Sequence, residues 1–156
     1  MAARVACTLA VEENRNSAFF GNVLMIQEYG KWNFVTEHAE DVDRETYKEA
    51  AVRGFMEETG LKVELTGYLG AVDTVYQNKV GEDEMATIMI FAARILRGER
   101  GKSDDTTESV KYRAIKDIEG ISESDLRFPK LVQFAIQRLK NGKIRPLDEV
   151  EEIPHI

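Results

Sequence analysis

Glu57 and Glu58 are adjacent acids near the end of a stretch, Asp43 or Arg44 to Thr59, that contains no proline and is rich in alanine. Each residue of a helix advances about 100°, so these two acids flank the direction of position 54, and all three share one arc. Like charges there repel each other and the negative pole of the helix dipole, at ~0.3 to 1 kcal/mol for an exposed charge. A divalent cation with oxygen ligands would relieve that cost, and Mg²⁺ held by one or two carboxylates plus substrate phosphates is a common arrangement. Taken alone, such a pair is more often a solvated acidic face. Along the other polar edge Glu45, Glu49 and Arg53 follow at intervals of four, which predicts a carboxylate–guanidinium ladder that leaves Glu57 and Glu58 outside it.

The element that must position these acids is the best helix in the chain, about 44–59, with Ala51, Val52, Phe55 and Met56 on one arc. Thr59-Gly60-Leu61 reads as its end, Gly60 taking the left-handed conformation and Leu61 packing back on the last turn. Val5–Val11, Phe19–Gln27 and Trp32–Val35 have the apolar, β-branched or aromatic content of strands, the first two in a hairpin-like start. Lys62–Leu69, Ala71–Gln77, Met85–Leu96 and Ser109–Ile115 supply the rest of a sheet, with a charged, Gly-rich surface loop from Arg97 to Thr107. Pro129 opens an amphipathic second helix, about 128–141, which Asn141-Gly142 ends. This divides the chain into a domain over 1–142 and an acidic tail over 143–156, which is at most partly ordered.

A chain of 156 residues can enclose one core without disulfides or metal staples. With 21 basic against 28 acidic residues, a net charge of −7 repels polyanions and argues against a nucleic-acid polymer as partner. A small phosphorylated ligand is still allowed, because a bound cation reverses the local sign where carboxylates cluster. Cys7 is the one cysteine, which excludes an internal disulfide and fits a reducing cytoplasm. No signal peptide is evident, and the apolar run Met85–Leu96 is too short to span a bilayer.

The run Glu45-Thr-Tyr-Lys-Glu-Ala-Ala-Val-Arg53-Gly-Phe-Met-Glu57-Glu58-Thr-Gly60-Leu61 resembles the box of the Nudix (MutT-like) hydrolase family. That box reads Gly, five residues, Glu, seven residues, Arg-Glu, an apolar residue, any residue, Glu-Glu, any residue, Gly, an apolar residue. Glu45, Arg53, Phe55, Glu57, Glu58, Gly60 and Leu61 match in one register. Trp32-Asn-Phe34, Tyr112–Ile118 and Leu126-Arg-Phe-Pro129 extend the likeness over roughly Val5 to Gly142. The resemblance implies an α/β (α+β) fold, an α/β/α sandwich with a mixed sheet. It also implies a Mg²⁺- or Mn²⁺-dependent hydrolase that cleaves the pyrophosphate bond of a nucleoside diphosphate linked to another moiety. In that reading Glu57 and Glu58 hold metal, Glu58 takes part in catalysis, and Arg53 orients the cluster through Glu45. The partner is a nucleotide-like small molecule in the cytoplasm, with no membrane involved; homodimers are common among relatives and stay open here.

The chain departs from the box in two places. Position 54, glutamate in the family and a ligand or base in many members, is glycine, although glycine inside a helix costs about 1 kcal/mol relative to alanine. The loop before the helix, Val35-Thr-Glu-His-Ala39 onward, lacks the family's glycines, with Ala39 at the box-glycine position by count. If hydrolysis survives, the base comes from elsewhere. Glu108 is the first candidate, Asp104, Asp105, Glu82 and Glu84 are weaker ones, and His38 is a lone loop histidine. The alternative is a catalytically impaired nucleotide-binding or scaffold protein of the same fold. A missing base alone predicts that Gly54→Glu raises hydrolysis. Tyr76, downstream of the box, lies near where some dinucleoside-polyphosphate hydrolases of the family have a tyrosine, but one aromatic residue in a strand is more often core.

Overall fold

The computed structural model describes residues 2–40, 44–78, 80–98 and 107–152, with backbone alone for 97–98 and 107–108. At its centre β1 (Ala3–Val11) runs parallel to β6 (Asp83–Gly98), and β6 pairs antiparallel with β5 (Leu61–Gln77). On the other side of β1, its first half pairs antiparallel with β4 (Val35–His38), and its end meets β2 (Val23–Glu28) at Val11↔Val23. β2 also carries β3 (Lys31–Asn33) and β7 (Thr107–Arg113), both antiparallel, which completes a mixed seven-stranded sheet.

Alternation along β1 sorts the core into two layers. Val5, Cys7 and Leu9 pack with Ile88 and Ile90 against α2 (Ile115–Glu119) and α3 (Pro129–Lys140), through Ile118, Leu131, Val132 and Ala135. Ala6 and Ala10 point the other way, where Ala50, Ala51 and Phe55 of α1 (Tyr47–Thr59) cover the sheet. A strand covered on both faces must be apolar at nearly every position, and β1 is. Cys7 is fully buried, and burial pushes its thiol up to about 12, so it behaves as a small apolar residue. Among the described residues no helix is long and apolar enough to cross a membrane.

Several boundaries differ from the sequence expectation. The helix expected from about 44 begins at Tyr47, because Arg44 takes a positive φ of 52° and Thr46 caps the first turn. β2 begins at Val23 rather than Phe19: residues 17–22 form turns, and Phe19 leaves the sheet to stack on Tyr112 at 4.8 Å. The expected break at Gly70 is an irregularity within one long β5, where a φ of 134° lets the register shift. Met56 is exposed and not part of the apolar arc. Beyond α3, Arg145 pairs with the backbone of Tyr68, and Val150 is buried against Ala6, Ala39 and Phe91.

Candidate active site

The carboxylates are placed by the two ends of α1 and the strand beside it. At the first turn, Thr46 Oγ1 accepts from the Glu49 amide and Glu49 Oε1 accepts from the Thr46 amide, a reciprocal capping box. Glu152 accepts from the amides of Tyr47 and Lys48 at 2.6 and 3.1 Å, so a carboxylate sits at the positive pole of the helix. The last turn ends at Gly60, whose φ of 76° allows its amide to donate to Met56 O, as Thr59-Gly60-Leu61 predicts. No basic residue stands in that turn, yet Glu57 and Glu58 do.

Arg53 is the hub of the cluster. Its Nε and Nη2 donate to the two oxygens of Glu45 at 2.6 and 2.8 Å, a bidentate pair. Nη1 donates to Glu57 Oε2 at 3.0 Å and lies 3.7 and 3.8 Å from Glu37 and Glu40, while Nη2 donates to the His38 carbonyl. The hydrogen bonds from Arg53 hold Glu45 below the usual carboxylate range, and Glu45 in turn raises Arg53 above its ordinary value. One guanidinium thus faces four carboxylates, which leaves the cluster strongly negative.

Three expectations differ from the structure. Glu49 belongs to the helix cap and not to a ladder with Arg53, because Glu45 precedes the helix and reaches Arg53 directly. Glu57 lies inside that network, since position 57 is one turn from Arg53. Nor is the arc of positions 54, 57 and 58 solvated throughout: Glu58 is only 5 % exposed and Gly54 is buried, because that side of the arc turns toward β4. Glu57 stays half exposed.

Glu57, Glu58, Glu37 and His38 line a cavity of about 770 Å³. Glu28 and Arg127 line it too, paired at 2.9 Å with Glu28 buried, and Arg127 lies 4.9 and 5.0 Å from the ring centroids of Tyr29 and Phe128. Tyr76 packs against the edge of the core and also lines the cavity: its hydroxyl is 2.7 Å from His38 Nε2, and partial burial raises its pKa, with Glu84 adding to the shift. Glu108 has its backbone in β7, but its side chain lies outside the described residues, as do Asp104 and Asp105. Glu82 is exposed on a turn.

Sequence reasoning missed Glu37, Glu28, Tyr29 and Arg127. An acid closing the apolar strand Val-Leu-Met-Ile-Gln-Glu28 was the available signal, since a buried acid needs a basic partner. The donors present are hard oxygens, which suit Mg²⁺ or Mn²⁺. Among the described residues no group of three or more His, Cys, Asp or Glu side chains is placed so that it could hold a metal ion by itself. Mg²⁺ does not require one, because water and substrate phosphates normally complete its shell.

A model of the NUDIX domain matches residues 2–150. The chain belongs to the Nudix family. Among solved structures, a NUDIX hydrolase from Nitrosomonas europaea superposes with a TM-score of 0.81 at 18% identity, covering 100% of both chains. A MutT NUDIX hydrolase from Burkholderia pseudomallei gives 0.68 at 18% identity, covering 89% of this chain and 98% of the other. The NUDIX domain of Shewanella oneidensis NrtR, solved in complex with ADP ribose, gives 0.65 at 15% identity, covering 89% of each. At such identities the likeness is one of fold. Curated protein sequences gave no match. Nudix membership makes pyrophosphohydrolase-type chemistry the general expectation, and divalent cations are its usual cofactor.

Proposed function

We propose that this Nudix domain is a Mg²⁺- or Mn²⁺-dependent hydrolase that cleaves the pyrophosphate bond of a nucleoside diphosphate linked to another moiety. The observation that carries the reading is a single cavity lined by Glu57 and Glu58 and also by the Tyr29–Arg127–Phe128 stack. A substrate of this class needs both: oxygen ligands for the cation on its pyrophosphate, and flat or cationic groups for a base and phosphate oxygens. The cation, when bound, neutralises phosphate charge and lowers the pKa of water.

The chain's own residues divide the remaining work. Glu57 and Glu58 bind, and Arg53 fixes Glu57 while Glu45 fixes Arg53. His38 and Tyr76 form a hydrogen-bonded pair that can hold a proton beside the acids, and Glu108 stays the candidate for the base from the β7 side. A homodimer is compatible with this reading.

Turnover of nucleotide sugars, dinucleoside polyphosphates, ADP-ribose and oxidised triphosphates with Mg²⁺ or Mn²⁺ tests it; a folded protein that releases no phosphate or nucleotide from any of them removes it. A binding-only role has one observation in its favour, Gly54 in place of the box glutamate. Calorimetry with the same compounds separates the two, since a sensor binds without cleavage.

A further inference from the structure

Gly54 has ordinary helical neighbours and is buried, so neither a turn nor solvent explains it. Glycine there costs about 1 kcal/mol relative to alanine, and the structure shows what prevents anything larger. A Cβ on residue 54 would overlap Cβ and Cγ of Glu37 and lie 2.9 Å from its Oε2. Glu37 stands opposite Ala6 across the β1–β4 ladder, and Ala6 packs on the α1 side of the sheet. The side chain of Glu37 therefore fills the space in which a side chain at 54 would begin.

We infer that Glu37 supplies from β4 the carboxylate that the Nudix box elsewhere carries at position 54, on the same helix face as Glu57 and Glu58; the three are not gathered into a metal cluster as the structure stands, and a bound cation would draw them together. The two departures from the box, a loop without the family's glycines and a glycine in the helix, are then one exchange, with Glu37 on the first side standing in for the carboxylate missing from the second. The receiving face is the right one. Positions 57 and 58 are three and four residues on from 54, so a carboxylate entering over Gly54 joins their face. All three acids line the same cavity. Arg53 Nη1 lies between two of them, 3.7 Å from Glu37 and 3.0 Å from Glu57, which holds both carboxylates near one place before a cation arrives. The exchange also reverses the expectation for Gly54→Glu: with Glu37 in place, the new side chain has no room.

This inference rests on the hydrolase reading, and Mn²⁺ binding tests it separately from turnover. Mn²⁺ affinity of the full chain is measured by electron paramagnetic resonance for the wild type, Glu37→Gln, Gly54→Glu and the double variant Glu37→Gly/Gly54→Glu. Loss of a ligand or its support weakens metal binding about 10- to 100-fold, and Glu37→Gln is expected in that range with its metal-free melting temperature unchanged. Gly54→Glu alone is expected to melt lower and bind no better than the wild type, while the double variant regains affinity over Glu37→Gln. Glu37→Gln that binds Mn²⁺ like the wild type, or a folded double variant no better than Glu37→Gln, overturns the exchange. If the wild type meanwhile turns over a substrate, the hydrolase reading survives that failure. A wild type with neither Mn²⁺ binding nor turnover overturns both.

Discussion

The two ends of α1 are built on opposite electrostatic rules. At the N-terminal end each device lowers energy: Thr46 and Glu49 cap each other, and Glu152 reaches back from the end of the described chain to two free amides. Carboxylates there meet the positive pole of the helix. At the C-terminal end Glu57 and Glu58 meet the negative pole with no basic residue in the last turn, and Glu37 is brought over Gly54 to add another acid. Arg53, one turn earlier, is shared among Glu37, Glu40, Glu45 and Glu57. One end stabilises the fold, and the other concentrates negative charge, which the proposed function assigns to a cation.

That contrast sets the order of the effects. Glu58→Gln is expected to lower hydrolysis about 100-fold or more while moving the melting temperature by less than ~4 °C, since relief of repulsion offsets lost contacts. Parallel assay and calorimetry check this, and a fall in melting temperature without loss of turnover would make Glu58 a structural acid. Arg53→Ala is expected to destabilise by about 2 kcal/mol, because it strands Glu45 among its neighbours, and to lower activity as well. Denaturant titration with kinetics on the same samples measures both, and an effect on stability alone would detach Arg53 from the site.

Thr46→Ala sharpens the contrast from the other end: about 1 kcal/mol of stability is lost with the cap, and turnover at saturating Mg²⁺ stays within a factor of two. A larger drop in turnover would show that the two ends are coupled. The smallest effect is the pH dependence carried by Glu45. Its folded pKa is lowered by Arg53, so it contributes stability in full above the unfolded glutamate value of about 4.3 and loses it as the pH falls through the folded value. Glu45→Gln should flatten the acid limb of the stability profile in that window; an unchanged limb would assign it to other carboxylates.

Much of the fold was legible because its signals are local. Apolar runs marked β1 and β6, Thr59-Gly60-Leu61 marked the end of α1, and Pro129 with its apolar stripe marked α3. The box spacing placed Arg53, Glu57 and Glu58 on one helix, where they are found. The start of α1 was less legible, because Arg44 and Glu45 have helix-compatible chemistry, and the left-handed turn at Arg44 together with the cap at Thr46 excludes them. Tyr76 and Arg127 were not legible as cavity residues, since nothing local distinguishes a strand tyrosine or a loop arginine that faces a cavity from one that does not.

By itself the sequence determined the family, the helix and the pair of acids at its negative end, because a helix relates residues three and four apart whatever surrounds it. Only the tertiary structure decided that Glu58 is buried and that Gly54 leaves room for Glu37. Those facts depend on how close β4 approaches α1 through the β1 ladder, a distance between segments that no spacing along one chain encodes.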